Sequence, residues 1–599
     1  MNRAVSLNRI LSEVIVAAEA VGERLRAEFH RSGGPRGSGA KAPVDVEIEQ
    51  DLCATLQRVL DCDFLGEETG LTRGRLAGWR WLVDPHDGTS NFLRGARGSA
   101  VSVGLLRGAT PVLGVVHSPT SPDRGRDTVA WAEGASPVRR NGEPVAWDLS
   151  RRRLARGEFV WCTESAGRRP QFFARGASPA RFIAMTSIAY RLARVAAGDG
   201  IAAISAHSVH EYDIAAGAAL LRGAGGVLLD ASGREIVFTG EENARVSGCI
   251  AGAPEAATAL ARVAWSDCQE VKELEPRAAA GFPRYADEAR LSRAQGCLLG
   301  QAIGDSLGSL VEFREARDIA RQYPQGVRDL ADAGAWNTIA GQPTDDTELA
   351  LALARTLLRN RDCDAKAVLA AYREWLESGP FDVGRTTRAG IDGRPDLASA
   401  ANGSLMRVSP LGVWAAGDPP RAARAAREDS RLTHPNPVCV EACAGYAAAI
   451  AEGVATGDRE AMVKAALAHA LDDAREAIGR AAAGERPRDF PKNEDWVLTA
   501  LQNAFHQLMY APDFEQALVA TLSSGGDTDT SGAITGALVG AALGRDAIPP
   551  RWVLPVLACR ALEEAGAKRP RPMDYWPDDV LDVAEGLLLI GNACTKNGQ

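Results

Sequence analysis

A chain of 599 residues is longer than one hydrophobic core organises, so its length alone predicts two to four domains. With 46% hydrophobic and 24% charged residues the composition is ordinary for a globular protein. A net charge of −9 argues against nonspecific binding to nucleic acid or anionic membrane, since no basic excess exists to neutralise phosphates.

Residues 5–29 space apolar positions as an amphipathic opening helix does, and no secretory pattern precedes them. Short β-like runs follow at Ser102–Leu106, Val112–His117 and Gly226–Asp230, between Gly, Pro and Asn turns. From about residue 291 the character changes. Ala/Leu/Arg-rich stretches at 348–359, 364–377, 438–453, 460–483 and 496–509 read as helices, and strand signals nearly vanish. The polar segment 263–290, with two prolines, reads as a linker between unrelated halves. The most apolar run, residues 532–544, is shorter than the about 20 residues that span a bilayer. The 11 cysteines are scattered without a CxxC pair, and Cys439 and Cys443 read as buried thiols one helical turn apart. A soluble protein of the reducing cytoplasm is expected, without a membrane partner.

Three acidic motifs stand in the first half: Glu67 and Glu68 in DFLGEETG, Asp84 and Asp87 in WLVDPHDGTSNF, and Asp213 in HEYDIAAG. Oxygen ligands without accompanying Cys suit Mg²⁺. In the middle motif an apolar strand, Trp81–Val83, ends at Asp84, and Pro85 imposes a turn that returns Asp87 beside the His86 carbonyl. Gly88 and Thr89 then open a helix, whose free N–H groups suit a phosphate. Taken alone, DPHDGT reads equally well as a plain turn and GEE as a solvated helix start.

Together and in this order, the motifs resemble the inositol monophosphatase family over residues 5–260. The resemblance implies an α/β layered sandwich with Mg²⁺ held by Glu67, Asp84, Asp87, Asp213 and the carbonyl of His86. It implies that Glu67 and Thr89 orient the attacking water, that Gly88 and Thr89 contact the phosphate, and that Asp45 bonds to Thr89. Gly134–Ala135 and Asn141–Gly142 fit a family hairpin, and MTSIAYRLARVAAG, residues 185–198, fits a family helix. Tyr212 stands where the family has Trp, and Ala206 where inositol-specific members carry an acid, with His207 and His210 nearby. A sugar or nucleotide phosphate is as good a candidate substrate as an inositol phosphate.

In the second half Gly296, Gly300, Gly304 and Gly308 recur every fourth residue, a small-residue stripe that lets a helix pack closely, with Asp305 beside it. PTDDTELALALA places Thr344, Asp345 and Asp346 at a helix entrance, and SSGGDTDTSGAITG places Asp527, Asp529 and Thr530 at another. An isolated Asp-Thr pair is more often a helix cap than a ligand. Two dense clusters, with NGSLMRVSP at 402–410, WLESGPFDVGRTT at 375–387 and LTHPNP at 432–437, resemble the ADP-ribosylglycohydrolase family over residues 291–590. That resemblance implies an all-α domain with a binuclear Mg²⁺ or Mn²⁺ site on Thr344, Asp345, Asp346, Asp527, Asp529 and Thr530. Glu312 and Asp527 are implied beside the scissile bond, and Asn402, Gly403, Ser404 and Met406 along an ADP-ribose groove.

The expected organisation is a phosphatase-like domain at 1–262, a linker at 263–290 and a glycohydrolase-like domain at 291–599. The expected function is a bifunctional hydrolase of small phosphate and ADP-ribosyl substrates. The alternative makes one half a ligand-binding or structural module.

Overall fold

The computed structural model describes residues 6–275, 277, 281, 283–487 and 495–596. The chain divides into two compact units, Met1–Arg284 and Tyr285–Gln599.

The first unit opens with α1 (Leu7–Phe29), whose Leu11, Val14, Ala18, Val21 and Leu25 form one buried stripe. Pro43 starts α2 (Pro43–Val59), as a residue without an N–H can. Both helices share a core with Phe64, Trp81, Val83, Val101 and Val103 of a sheet. Its strands are β1 (Cys62–Gly66), β2 (Gly70–Thr72), β3 (Leu76–Asp87), β4 (Ala100–Arg107), β5 (Thr110–Ser121), β6 (Gly125–Ala132), β7 (Ala135–Arg140) and β8 (Glu143–Pro144), in the order β2-β1-β3-β4-β5-β6-β7-β8. Only β1 and β3 pair in parallel. The hairpin at Asn141–Gly142 turns through positive φ at both residues.

A single helical turn, α3 (Thr89–Phe92), follows β3. A second sheet, ordered β10-β9-β11-β15-β13, is built from β9 (Phe159–Thr163), β10 (Arg181–Met185), β11 (Ala202–Ser205), β13 (Val227–Leu229) and β15 (Cys249–Gly252). A two-stranded ribbon joins β12 (Val209–His210) to β14 (Arg245–Val246). Helices α4 (Pro170–Ala177), α5 (Ile188–Ala196), α6 (Glu211–Gly223) and α7 (Pro254–Leu260) complete the unit. The small residues of α6 decide its packing. A Cβ at Gly104 or Gly114 would collide with Ala215 or Ala216, so helix and sheet meet almost backbone to backbone, which carries Asp213 to the sheet.

The second unit is almost wholly helical. Its centre is α8 (Glu288–Gly308), followed by the short α9 (Ala316–Gln322) and by α10 (Asp345–Asn360). The expected glycine stripe on α8 meets a matching stripe on the helix Thr528–Leu543. A Cβ on Gly300 would lie 2.3 Å from the Gly536 carbonyl oxygen, and one on Gly304 would lie 2.0 Å from that of Gly532. Such contacts are impossible for any side chain, so the two backbones touch along four turns.

Other expectations needed adjustment. The stretch 460–483 is two helices, Arg459–His469 and Asp472–Ala482, broken where Asp472 takes φ +46°. Residues 263–290 are not free chain throughout. Trp265 stacks on Phe173 of α4 at 5.7 Å, and Glu273 pairs with Arg168 and Arg169 at 2.8 and 2.9 Å. At the other end the backbone N–H of Tyr285 donates to the Glu585 carboxylate at 2.8 Å. Among the described residues one helix, Pro437–Thr456, has the length and apolarity of a membrane span, and 78% of that window is buried within the protein.

Candidate functional sites

In the first unit, the two acidic residues Asp45 and Glu49 lie one turn apart on α2 and are both buried. Glu49 accepts the N–H groups of Glu68 and Thr69 at 3.0 and 2.6 Å, which fixes the GEE turn at the end of β1. Gly66 leaves room for it: a Cβ there would sit 2.3 Å from the Glu49 carboxylate and push it off these N–H groups. Asp45 reaches both the imidazole Nδ1 of His86, at 2.7 Å, and the Thr89 hydroxyl, which donates to it at 3.0 Å. The His86 ring is completed by Ser99 Oγ at 3.1 Å from Nε2.

Strand β3 does not end at Asp84 as the sequence suggested. It continues to Asp87 with a register shift against β4, so that Asp84 pairs with Ser102 and Asp87 with Ala100. Gly88 then adopts φ +101°, a conformation that suits glycine, and the expected helix is the single turn α3. Asp87 is anchored by the Ser187 hydroxyl at 2.6 Å and the Ala189 N–H at 2.7 Å, both at the entrance of α5. Asp213 accepts the His210 N–H at 2.8 Å at the entrance of α6.

Glu67, Asp84, Asp87 and Asp213 therefore arrive from β1, β3 and α6 at one place. Burial raises all four carboxyls above the usual range, and their mutual repulsion adds to it for Glu67, Asp84 and Asp213. Glu67, although the residue as a whole is exposed, has its carboxyl pushed up to about 7. An oxygen-only set of crowded carboxylates fits a hard divalent cation, whose charge would remove the repulsion.

The second site stands at the ends of the glycine-packed helices. Asp305, fully buried near the end of α8, accepts the Thr344 N–H at 3.0 Å, the Thr344 hydroxyl at 3.0 Å and the Thr347 N–H at 3.1 Å. Thr344 and Asp527 occupy the cap positions of their helices, yet neither side chain caps. The Thr344 hydroxyl instead lies 3.1 Å from Asp346 and 3.4 Å from Asp529. Asn402 donates to Asp527 at 2.6 Å, and the Gly384 N–H to Asp345 at 3.4 Å. Thr530, buried beside them, adds its hydroxyl to Asp527.

Glu312, Asp382 and Asp529 bring carboxylate oxygens within 4.8 Å of one another. Burial, reinforced by the neighbouring carboxylates, pushes Asp345 up to about 7 and both Glu312 and Asp382 up to about 8. Burial is also the main cause that raises Asp305 to about 6. Asp346 and Asp529 are raised further in the same direction, with burial again the first cause. One carboxylate oxygen of Asp346 is buried without a hydrogen-bond partner. The donor set again fits divalent cations.

Residues 7–269 match the inositol monophosphatase family and residues 286–578 match ADP-ribosylglycohydrolase. The chain is 32% identical to the ADP-ribosyl-[dinitrogen reductase] glycohydrolase of Rhodospirillum rubrum, over 44% of this chain and 89% of that protein. The chain carries an inositol monophosphatase family domain followed by an ADP-ribosylglycohydrolase domain. It is 29% identical to the probable inositol 1-monophosphatase ImpA of Mycobacterium tuberculosis, over 38% of this chain and 87% of that protein. A solved ADP-ribosylglycohydrolase-related protein complex aligns at 28% identity and a TM-score of 0.42, covering 51% of this chain and 99% of its own. Both domains are thus homologous to hydrolases.

In the glycohydrolase domain, the turn at 402–406 is braced from behind. Arg407, fully buried, donates to Asp429 at 3.0 Å and to the Gly403 carbonyl at 3.3 Å, and Tyr372 donates to Asp429 at 2.6 Å. Ser404 accepts from Ser430 at 3.0 Å and is fully buried, and Met406 is 4% exposed with its carbonyl bound to Gln301. Ser404 and Met406 therefore shape the turn from within, while Asn402 is the member of that set that touches a site carboxylate. At the mouth, the Trp336 indole donates to Glu312 at 2.8 Å and packs against Phe381 at 5.8 Å.

Sequence reasoning had no role for Glu49, the His86 side chain, Ser187, Asp382 or Trp336. Of these, His86, Ser187 and Asp382 lay in quoted motifs without this role. Glu49 and Trp336 act as single residues from distant segments, and no spacing announces them.

Proposed function

We propose that the protein is a two-site, divalent-metal-dependent hydrolase: a phosphomonoesterase in the first domain and a glycohydrolase of ADP-ribosyl bonds in the second. The observation that carries this reading is the same in both domains. Carboxylates from separate elements converge, repel one another and, among the described residues, form no ion pair with Lys or Arg. Glu67, Asp84, Asp87, Asp213 and the His86 carbonyl would hold Mg²⁺ in the first site. Thr344, Asp345, Asp346, Asp527, Asp529 and Thr530 would hold Mg²⁺ or Mn²⁺ in the second. Bound divalent cations supply Lewis-acid polarisation and a more acidic water.

In the first site Glu67, with its raised affinity for protons, takes a proton from the attacking water, and Thr89, fixed by Asp45, orients that water. Gly88 and Thr89 present backbone to the phosphate. In the second, Glu312 and Asp527 flank the glycosidic bond, and burial with the neighbouring carboxylates raises the proton affinity of Glu312, which suits a general acid. Surrounding carboxylates offset positive charge at the anomeric carbon. Asn402 and Gly403 form the wall of the ADP-ribose groove, and Ser404 and Met406 support it from within.

The two activities are proposed to serve related metabolites, such as a phosphorylated ADP-ribose derivative. The test incubates the full chain with Mn²⁺ and a phosphorylated ADP-ribosyl glycoside, following products by mass spectrometry. Asp84→Ala is expected to stall after deglycosylation and Asp527→Ala after dephosphorylation. Cleavage of simple phosphomonoesters and simple ADP-ribosyl conjugates, with the doubly modified substrate ignored, would leave two independent hydrolases. Absence of Mn²⁺ uptake by the Asp84→Ala chain in calorimetry would reduce the second domain to a binding or structural module.

A further inference from the structure

In the second domain, residues 558–579 join helix Pro550–Leu557 to helix Val580–Lys596 as a long irregular strap. Arg571, within it, is 6% exposed, and a charge so placed is tolerated only when fully paired. Its Nε and one terminal amino group donate to the two oxygens of Glu348, each at 2.8 Å. The same amino group donates to the Ser378 hydroxyl at 2.8 Å, and the other to the Ser378 carbonyl at 3.1 Å. The Trp375 indole also donates to Glu348, at 2.7 Å. Both oxygens of Glu348 are thus taken by the strap and by Trp375, although this acid directly follows the Asp345–Asp346–Thr347 run.

The two residues that Arg571 grips belong to different walls of the acidic site. Glu348 lies in the first turn of α10, which also carries Asp345 and Asp346. Ser378 ends the helix Ala365–Glu377, and the chain then turns at Gly379, with φ +72°, to reach Asp382 and Gly384. The Gly384 N–H donates to Asp345 at 3.4 Å, so a closed ring runs from Arg571 through Glu348, Asp345 and Gly384 back to Ser378. The strap holds α10 again two turns further on, where Arg355 donates to Asp579 at 2.7 and 2.9 Å. It also holds the segment before Thr344, since the Gln342 side chain donates to the Arg569 carbonyl at 2.6 Å. Stability alone gives no reason for an arginine here, because apolar groups of similar volume replace buried ion pairs at little cost. What a guanidinium adds is a planar fork that holds a carboxylate and a second segment together.

We propose that Arg571 is a positioning residue of the second site: by bridging Glu348 and Ser378 it fixes Asp382 relative to Asp345 and Asp346. The carboxylate group of Asp382, Glu312 and Asp529, with oxygens within 4.8 Å of one another, depends on that spacing. The inference rests on the metal-dependent glycohydrolase reading of this site and adds the residue that holds its two walls together.

The test titrates Mn²⁺ by calorimetry into the full chain carrying Asp84→Ala, so that uptake reports the second site. Adding Glu348→Gln with Arg571→Met leaves no buried charge unpaired and keeps an acceptor for Trp375, so the domain is expected to fold, as circular dichroism checks. Its Mn²⁺ affinity should nonetheless fall ~10-fold or more, the effect of removing a group that supports metal ligands. On an ADP-ribosyl conjugate kcat should fall while KM holds. Arg571→Lys keeps a charge on Glu348 but has no fork to reach Ser378, and should recover little of the affinity. Unchanged affinity in the folded double variant overturns the proposal, and so does full recovery by Arg571→Lys. If the double variant does not fold, Ser378→Ala decides by the same titration: weaker uptake supports the bridge and equal uptake refutes it. Mn²⁺ uptake by the parent chain without glycosidic cleavage would sink the glycohydrolase reading alone, and no uptake by the parent would overturn both.

Discussion

The two domains solve one electrostatic problem with different scaffolds. The first gathers its carboxylates from a strand end, a register shift and one helix entrance, so each ligand candidate has its own local anchor. Asp87 leans on Ser187 and Ala189, Asp213 on the His210 N–H, and the GEE turn on Glu49. The second rests on one helix pair whose backbones touch, with Asp305 near the end of one member and Asp529 at the start of the other. Distributed anchoring fails piecemeal. A single spine fails at once.

Gly304→Val gives that contrast its largest test. The added side chain would meet the Gly532 carbonyl, which is backbone and cannot move aside, so a cost well above the 1–3 kcal/mol of ordinary overpacking is expected. Calorimetric unfolding should show the second domain lost while Mg²⁺-dependent phosphatase activity persists. Persistence of both transitions would show that the spine is dispensable.

Arg194→Met probes the first domain at comparable depth. Arg194 is fully buried, donates to Asp123 through two bonds of 2.8 Å and contacts Asp199, and its helix α5 also supplies the anchors of Asp87. Losing it strands Asp123, whose carboxyl is buried and held well below the usual range by Arg194 and its neighbours. A loss of roughly 3–5 kcal/mol is expected in denaturant unfolding of the first domain. A loss below 1 kcal/mol would mean that Arg124 and Arg140 suffice.

The carboxylate clusters predict a shared pH dependence. Their folded proton affinities are raised, so the stability they contribute is complete below about pH 4, the ordinary carboxylate range. It is lost as pH rises through about 6 to 8, where Asp305, Glu67, Asp345, Glu312 and Asp382 ionise. In chelator, both melting transitions should therefore fall between pH 5 and 8, and Mn²⁺ should cancel the fall. A flat profile in chelator would mean that the clusters are not strained without metal. Trp336→Phe is the mildest change. It removes one hydrogen bond to Glu312 and keeps the packing, so glycohydrolase kcat should drop about 3- to 20-fold while the first site is untouched.

Much of this was legible beforehand because the informative signals are local. GEE, DPHDGT and the two Asp/Thr clusters are contiguous, and the glycine stripe repeats at the period of a helix. The strand extension through Asp87 was not legible, since Pro85 reads as a turn and only pairing with β4 shows the ladder resuming. The Asp45–His86 pair joins residues 41 apart and Trp336–Glu312 residues 24 apart, each contact made by one side chain with no pattern to betray it. Helix capping was the competing reading for the two Asp/Thr clusters, and it does not occur at their cap positions. Thr344 and Asp527 stand at cap positions and turn their side chains away, because binding among the carboxylates replaces capping.

The paired glycine stripes also bear on how this chain tolerates drift. Most protein cores set the distance between helices by the volumes of their side chains, so each conservative exchange shifts the spacing slightly. Here the spacing at Gly300, Gly304, Gly532 and Gly536 is set by carbonyl oxygens against α-carbons, which are the same in every residue. The Ala and Leu positions around the pair can vary while the separation of Asp305 from Asp529 holds. The arrangement works as a mechanical gauge block, insulating the acidic site from changes elsewhere in its domain.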